Sequence, residues 1–589
     1  MTCPHQNIGK TLLLGLVLCA FGSLPCPKKL LAQDSVPGSL PEPISRDSRD
    51  QERVELAESR LVPTGVDLWW HEPILLPLGI GPRALAISAD DATAESLEFS
   101  PEVQIIRVEP QIRRTDITRQ KAAFDWTNFL ETSWANRSDP IGSVLTTGST
   151  TGRFIDDQLN GGLGVRKRST TGAEWEISQR SGWQRNNSDF LVPNPQSTSR
   201  LELTVTQPLL AGRGKEVNYF RVVEAQLGTA ATEAESLARL QDHVLSVGTS
   251  YWQLYKTRAA FLIRRRAVEE ADKLVVSLTE RSKLDATSRQ ILRAKVAAAQ
   301  RRAELMTIAA AADTAETRLQ RFIGQVDFET ELVPAQLPTR VPPSWDRETV
   351  VQTALTGRPE IVKAVREVRA ASLRLGVSRN QLLPRLDLLA GTYVAGLNAH
   401  RNLFPAYGRQ FVDGRPSVNV GLVWERAVGN RAARGLVQRN ELELQRSISE
   451  YDAALQTTRA DVELALSLME VNYQTMLQRE LSAKAARAEL WYLEDRWQTM
   501  AVADGSAILL LENLIDAQVR VADEETSLSA AEADLNIVIL QYHRAVGTLL
   551  RSAHFTQSPS GDLHDSDDQT RADLATPMLD SQMLEENAF

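Results

Sequence analysis

Cysteine is nearly absent from this chain. Among 589 residues there are three, Cys3, Cys19 and Cys26, and all of them lie within the first 32 positions. If those positions are removed as a leader, the mature chain has no thiol, which excludes disulfides and thiolate-bound metal ions. A chain of this length builds its stability from side-chain packing and does not need such cross-links.

Long apolar runs are also missing. No stretch reaches the roughly 18 to 20 residues of a membrane-spanning helix. The nearest, 11–24, is preceded by a lysine and followed by a Leu-Leu-Ala sequence that ends at Ala32. This arrangement predicts a signal peptide over 1–32, cut near Ala32. Lipoprotein processing at Cys19 or Cys26 is a weaker alternative, because neither follows a small residue.

There is no excess of basic residues. The formal net charge is −9, which argues against nucleic-acid binding. The glycine-rich sequence 212–215 lacks the spacing of a phosphate loop, the histidines do not cluster, and no serine-centred elbow is present. The sequence therefore predicts no enzyme, with no catalytic residue, no cofactor and no metal site.

Two long helical segments, 212–324 and 429–547, dominate the sequence. Each is predicted to run for roughly seventy residues, to pause, and to continue for about forty more; at about 1.5 Å per residue the longer part is a rod of roughly 100 Å. No compact domain is that wide, so the rods must pack on each other. In the first segment, seam positions alternate in steps of four and three, which is typical of a coiled coil. The seam consists of Leu240, Val244, Val247, Tyr251, Leu254, Arg258, Phe261, Arg265 and Val268.

An internal repeat relates the two halves of the chain. The sequence at 96–103 recurs at 354–361, an offset of 258 residues. In both copies a short helix with a proline in its first turn leads into a strand. The predicted domains are a first repeat over 84–324, a linker over 325–345 and a second repeat over 346–550.

The two ends of the chain have the composition of disordered segments. Residues 33–83 are rich in proline, serine and charged residues, and the tail 551–589 is polar and acidic. Both are predicted to be loosely ordered. Trp69 and Trp70 are candidate positions at which order begins.

Short alternating stretches stand before the rods. Strands are predicted at about 124–135, 199–207, 386–396 and 416–424, each with one apolar and one polar face. A sheet on a soluble core is the ordinary interpretation, but the rods use their seams on each other and leave no element to cover the apolar face. Lipid is the alternative cover. A sheet in lipid must close, and four strands are too few, so several copies must share one ring.

The connection between the first two strands contains a further predicted hairpin, over 162–184, that turns at 169–172. Two arrangements are open: the hairpin extends the sheet, or it adds strands above the membrane. Long connections usually lie on the outer side of a membrane barrel.

Three segments resemble the TolC-like outer membrane efflux proteins, also called outer membrane factors. Residues 203–214, which begin Leu-Thr-Val-Thr-Gln-Pro-Leu-Leu, resemble the family's strand-to-helix entry. Residues 358–360 with 383–384 resemble the start of its second repeat, and 504–518 resembles its helical tip. The likeness spans about 84–550 and lies in the order and duplication of these motifs, since none of them is specific alone.

The resemblance implies a mainly α-helical fold with a small membrane β part, built as two tandem repeats of long coiled helices plus amphipathic strands. It implies a homotrimer in which four strands per copy form a twelve-stranded β-barrel in outer membrane lipid. The helices would continue as a hollow α-barrel across the periplasm.

The implied function is the outer membrane channel of a tripartite efflux or type I secretion system, a passive duct for small molecules or protein. Its implied partners are a periplasmic adaptor (membrane fusion) protein and an inner-membrane pump. A periplasmic or soluble coiled-coil scaffold or adaptor is the alternative.

The helical tips are the candidate functional positions. By the resemblance, contacts to an adaptor fall on Ser282, Leu284, Gly505 and Ser506, although the first tip lacks the glycine that the family often has there. Three charged residues near the second tip are candidates for a periplasmic gate that holds the narrow end shut, with ordinary surface ion pairs as the alternative. They are Arg496, Asp504 and Asp516.

Overall fold

The computed structural model describes residues 68–79, 82–148, 150, 152–281, 288–324, 328–499 and 506–552. Every structural statement below refers to these ranges, all of which fall in the unit Ala57–Phe589. The unit Met1–Leu56, and with it the predicted signal peptide, lies outside them. Most of the predicted N-terminal linker and the tail from 553 onward also lie outside.

The described elements are two sheets and a set of helices that range from one turn to many turns in length. The helices are α1 (His71–Ile74), α2 (Ala89–Phe99), α3 (Pro101–Lys121), α4 (Lys215–Asn218), α5 (Phe220–Arg281), α6 (Ser288–Ile323), α7 (Arg347–Gly357), α8 (Pro359–Asn380), α9 (Leu403–Arg409), α10 (Arg431–Thr499), α11 (Ser506–Val546) and α12 (Leu549–Ser552). The strands are β1 (Arg83–Ile87), β2 (Thr127–Pro140), β3 (Arg153–Arg168), β4 (Glu174–Asn186), β5 (Gln196–Pro208), β6 (Thr330–Pro334), β7 (Arg385–Asn398) and β8 (Ser417–Glu425).

The two halves of the chain repeat one order of elements. Helices α2 and α3 and strand β2 begin at Ala89, Pro101 and Thr127, and α7, α8 and β7 each begin 258 residues later. Pro101 and Pro359 occupy the start of α3 and α8, where the missing amide costs no hydrogen bond. In each half, strands and two long helices follow, and the first half has the additional hairpin β3–β4.

Four long helices form the body of the molecule. Helix α5 has 62 residues and α10 has 69, which correspond to roughly 93 Å and 104 Å. Helix α5 packs on α6 and α11, and α10 packs on α11. The residues that follow α6 and α11, Gly324 and Gly547, have φ of +87° and +81°, a left-handed conformation that commonly ends a helix.

The seam predicted for the first rod is buried over its middle part. From Val244 to Arg258 every seam position is buried. Beyond Arg258 the prediction is wrong, because the buried positions move to Leu262 and Ile263 while Arg265 is exposed. A straight α-helix drifts by about 20° per heptad relative to a 3.5-residue repeat, so a strict pattern leaves the buried side after a few turns.

Parts of both predicted linkers pack against the helices. The N-terminal linker is predicted to extend to residue 83, but Trp70 and Ile74 are fully buried in the main core beside α5. Strand β6 lies within the predicted linker 325–345 and pairs in parallel with β1. Both segments are predicted to be linkers because their overall composition is polar. A few apolar side chains nevertheless pack them against the core.

Candidate functional site

The larger sheet has six antiparallel strands in the order β2-β3-β4-β5-β7-β8. The hairpin that the sequence leaves open therefore extends the sheet, and this sheet has six strands where the resemblance implies four membrane strands per chain. Its turn lies beside the strand-to-helix junction, since the Gly214 amide donates to the Thr171 carbonyl at 3.1 Å. The connection 138–199 is thus mostly sheet, in the first of the two arrangements that the sequence leaves open.

One face of this sheet is apolar on all six strands. Alternation puts every second side chain on the same face, and the cross-strand register aligns these positions between neighbouring strands. One apolar residue from each strand in turn is Leu130, Leu163, Ile177, Leu203, Leu388 and Leu422.

Tryptophans stand at both ends of the apolar face. Trp126 and Trp134 are eight residues apart, as are Trp175 and Trp183, which is about 27 Å along an extended strand. Trp134 and Trp183 lie in one row, on either side of Leu159, at the end of the sheet away from the helices (the outer end). Membrane barrels have an apolar band of about 25 Å between two aromatic girdles, and this face has the same dimension.

Much of the apolar face is uncovered within the described part of the chain. Leu130 is 78% exposed and Leu422 is 65% exposed, and several tryptophans of this face are exposed too. A sheet that covers a soluble core would bury these side chains. This exposure argues against the soluble interpretation.

The opposite face is polar and concave. Glu131, Asn160, Arg180 and Arg200 line a cavity of about 720 Å³ on this side. The Arg200 guanidinium lies 4.2 Å from the ring centre of Tyr393 on the adjacent strand. A wall that curves with its polar face inward and its apolar face outward has the polarity of a membrane barrel around an aqueous lumen.

The fold is similar to that of several solved outer membrane channels, although no family model and no curated protein matches the sequence. The outer membrane protein VceC of Vibrio cholerae is 16% identical, and the match covers 78% of this chain and 96% of that one with a TM-score of 0.55. The CmeC outer membrane channel of Campylobacter jejuni is 12% identical, with 78% and 86% covered and a TM-score of 0.56. The MtrE outer membrane channel of Neisseria gonorrhoeae, in its open state, is 15% identical, with 78% and 89% covered and a TM-score of 0.56.

The chain has the outer membrane channel fold. The mainly helical architecture with a small sheet, which the resemblance predicts, is confirmed at the level of the fold. Among the described helices, none is both long enough and apolar enough to cross a membrane. Within the same ranges no cluster of three or more histidine, cysteine or acidic side chains is positioned to hold a metal ion.

The outer membrane channel fold leaves both edges of the sheet open in this chain. In the described ranges β2 pairs with β3 alone and β8 with β7 alone. Because the number of strands is even, β8 of one copy would run antiparallel to β2 of the next copy in a ring.

The long helices also have apolar side chains on their outer surfaces. Leu464, Val471 and Leu481 of α10 are exposed, and so are Leu292 and Met306 of α6. Exposed apolar side chains that form a contiguous patch mark a contact with another protein or with a membrane, and these residues are candidates for such a contact. In the described ranges the sheet thus has two open edges, and the long helices have exposed apolar side chains.

The structure brings the ends of the four long helices together. Apolar side chains from α5, α6, α10 and α11 form one cluster next to both predicted tips, with Leu278, Leu493 and Leu511 among its members. The tips themselves are only partly described: α5 ends at Arg281 and α6 begins at Ser288, while α10 ends at Thr499 and α11 begins at Ser506. Ser282, Leu284, Asp504 and Gly505 lie outside the described residues, as does the side chain of Ser506.

Two of the three predicted gate residues are described. Arg496 donates from Nη1 to the Tyr492 hydroxyl at 3.3 Å, one helical turn away. Asp516 is exposed on α11. The gate therefore stays a prediction.

Ion pairs with buried carboxylates near the middle of the helices are a feature that sequence reasoning missed. Arg258 pairs with Glu331 at 2.8 Å, and Arg340 pairs with Glu480 at 2.6 Å and with Glu532 at 3.1 Å. Arg258 and Glu331 are 73 residues apart along the chain, and Arg340 and Glu480 are 140 residues apart. No local spacing reveals such pairs; the only signal was an arginine, Arg258, at a seam position that is otherwise apolar.

Proposed function

We propose that this protein is the outer membrane channel of a tripartite efflux or type I secretion system, a passive duct across the outer membrane and periplasm. The observation that carries the proposal is the uncovered apolar face of the sheet opposite a polar, concave face. The likeness to solved outer membrane channels supports it. In a soluble scaffold or periplasmic adaptor, an apolar sheet face of this kind would be exposed to water.

The proposed assembly is a homotrimer. Three copies would pair β8 with β2 at each junction and close a barrel of eighteen strands, because each copy contributes six. Barrel diameter grows roughly linearly with strand number, so this barrel would be about one and a half times as wide as the twelve-stranded one that the resemblance implies. The exposed apolar residues of α6 and α10 would be covered between copies.

The proposed location follows from the two parts of the chain. The sheet would lie in the outer membrane, with its tryptophan rows at the two interfaces. The long helices, roughly 100 Å by their residue count, would extend through the periplasm. Their tips would then meet a periplasmic adaptor and, through it, an inner-membrane pump, with Ser282, Leu284, Gly505 and Ser506 as the proposed contacts. Arg496, Asp504 and Asp516 are the proposed gate at this narrow end.

Membrane fractionation and planar-bilayer recording test the function together. The channel is expected in the outer membrane pellet after a urea wash, and purified protein in detergent should give discrete current steps in a planar bilayer. Recovery in the soluble periplasmic fraction without detergent, and no current steps, would overturn the proposal and favour the scaffold or adaptor.

A further inference from the structure

The connection between β7 and β8 folds back over the outer surface of the sheet. Helix α9 contacts β4, β5 and β7, which are three of the four inner strands of this sheet. Ser197 Oγ donates to the Asn402 carbonyl at 2.8 Å, and the side-chain amides of Gln179 and Gln410 lie 3.2 Å apart. A Cβ at Gly396 would overlap the Ala406 carbonyl, so this glycine permits the close approach.

The polarity of α9 is the reverse of that of a helix on a water-soluble surface. Ala406 and Gln410 face the sheet and are almost completely buried. Phe404 is 85% exposed and Tyr407 is exposed as well, and so is Phe411 in the turn directly after α9; the three residues are spaced by three and four. The apolar side chains therefore point away from the protein while a glutamine points toward it.

This helix lies where the outer tryptophan row is interrupted. The row that contains Trp134 and Trp183 continues on β5 and β7 as Ser197 and Asn398, which are not aromatic. Asn402, which caps α9, contacts both of these residues. The aromatic side chains of α9 thus stand above the strands that lack an outer tryptophan.

A polar cluster connects this segment to the tryptophan row. Trp134 Nε1 donates to Asp157 at 2.8 Å, and Arg401 pairs with the same carboxylate at 3.7 Å. The Arg401 guanidinium also lies 4.3 Å from the ring centre of Trp183. Aromatic and basic side chains at one depth are typical of the membrane–water interface.

The segment is basic as well as apolar. Between 400 and 416 there are three arginines and one histidine against a single carboxylate, Asp413. Arg401 and Arg409 are about half exposed, at 46% and 50% of their side-chain surface. Such side chains interact favourably with anionic lipid headgroups.

We propose that residues 400–416 form an interfacial anchor, a segment that binds the anionic headgroup region of the outer leaflet and completes the outer aromatic girdle over β5 and β7. The occupant of the exposed surface of α9 is lipid. A neighbouring copy is disfavoured because α9 lies over inner strands, whereas copies would meet at β2 and β8. This inference rests on the proposed function, since it requires the sheet to lie in a membrane.

Depth-dependent fluorescence quenching tests the anchor. The described residues contain no cysteine, so with Cys3, Cys19 and Cys26 replaced by serine, a single fluorophore can be placed at one of three positions. They are Phe404→Cys in α9, Leu163→Cys midway between the two tryptophan rows of the apolar face, and Leu145→Cys in an outer loop. Each labelled protein is reconstituted in phosphatidylcholine vesicles with about one third phosphatidylglycerol. Quenching is measured with doxyl groups at a shallow or a deep position of the lipid chain, and with aqueous iodide.

The label at 404 should be quenched most by the shallow doxyl lipid and shielded from iodide. The label at 163 should respond to the deep doxyl lipid and that at 145 to iodide. If the label at 404 responds to iodide as strongly as that at 145 while the label at 163 responds to lipid, the anchor is wrong and the channel stands. If the label at 163 does not respond to lipid either, the proposed function fails with the anchor.

A second arm tests the charge. With phosphatidylglycerol present, shallow quenching at 404 should be about twofold stronger than in phosphatidylcholine alone, and high salt should remove the difference. The double variant R401Q/R409Q should show no such dependence. An equal response of parent and double variant to phosphatidylglycerol would overturn the role of the two arginines.

Discussion

Arg258 Nη1 donates to Oε1 of Glu331 at 2.8 Å, and each of these side chains is only 1% exposed. The same guanidinium donates to the carbonyls of Leu332 at 3.2 Å and Leu76 at 3.0 Å. Glu331 in turn accepts from the amide of Leu78 at 2.7 Å. One ion pair thus joins α5, β6 and the N-terminal segment near Leu76.

Arg258→Met is expected to destabilise the protein strongly. It leaves the Glu331 carboxylate buried without its cation, a change that typically costs about 3–5 kcal/mol. The measurement is the free energy of unfolding in detergent from a urea titration followed by circular dichroism. Arg302→Met is the matched control, because Arg302 pairs with Asp272 at the surface and should cost less than about 1 kcal/mol. Equal losses in the two variants would show that the buried pair has no special role.

His243 is expected to make stability depend on pH. Burial lowers the pKa of His243 below its ordinary value, while the Glu102 carboxylate, 3.4 Å from Nδ1, partly opposes this. Its Nε2 lies 2.5 Å from Ser96 Oγ. The unfolded chain therefore binds a proton on His243 at a higher pH than the folded chain does. The stabilising contribution is present above about pH 6.5 and is lost as the pH falls through the lowered pKa of the folded state.

The corresponding measurement compares the parent protein with His243→Gln at about pH 7.5 and pH 5. The free energy of unfolding should fall more on acidification in the parent than in the variant, because other titrating groups are common to both. The same fall in both proteins would mean that His243 is not responsible.

Leu130→Arg is expected to block assembly in the membrane. This substitution puts a charge on the apolar face of β2, which typically costs about 2–4 kcal/mol near the middle of the bilayer. Ser133→Arg, three residues further on the polar face of the same strand, should be tolerated. The readout is the fraction of each variant in the urea-washed outer membrane pellet; equal insertion of both would mean that this face does not meet lipid.

Asp516→Lys is expected to raise single-channel conductance in a planar bilayer. The reason is the proposed gate, in which Asp516 contributes to polar contacts that hold the helical end narrow. Asp313→Lys on α6, an exposed aspartate that is not near the tip in sequence, is the control and should leave conductance unchanged. Unchanged conductance in Asp516→Lys would remove this residue from the gate.

The sequence predicts the elements of this fold better than it predicts which elements are neighbours. Period-two alternation locates the strands because each strand has one apolar face, but alternation alone cannot say that β3 and β4 are inserted between β2 and β5. Seam spacing locates Arg258 correctly and cannot identify Glu331, because that contact forms only when distant segments pack. The sequence does not predict the anchor segment, because apolar residues are usually buried whereas Phe404 and Tyr407 are exposed.

Two features of the larger sheet lead to the proposed assembly. In the described ranges this sheet has six strands and two open edges, β2 and β8. In lipid each unpaired backbone group at those edges costs several kcal/mol. A single copy cannot avoid this cost, because its two edge strands do not pair with each other. Closure by further copies is the physical solution, and the strand count per copy then determines how wide the pore is.

The most direct test is a count of copies and strands by electron cryomicroscopy of the protein in lipid nanodiscs. Three copies around a closed barrel of eighteen strands, with β8 of each copy paired to β2 of the next, are expected. A single copy that remains monodisperse without detergent, with the apolar face of its sheet covered by its own helices, would contradict the proposal.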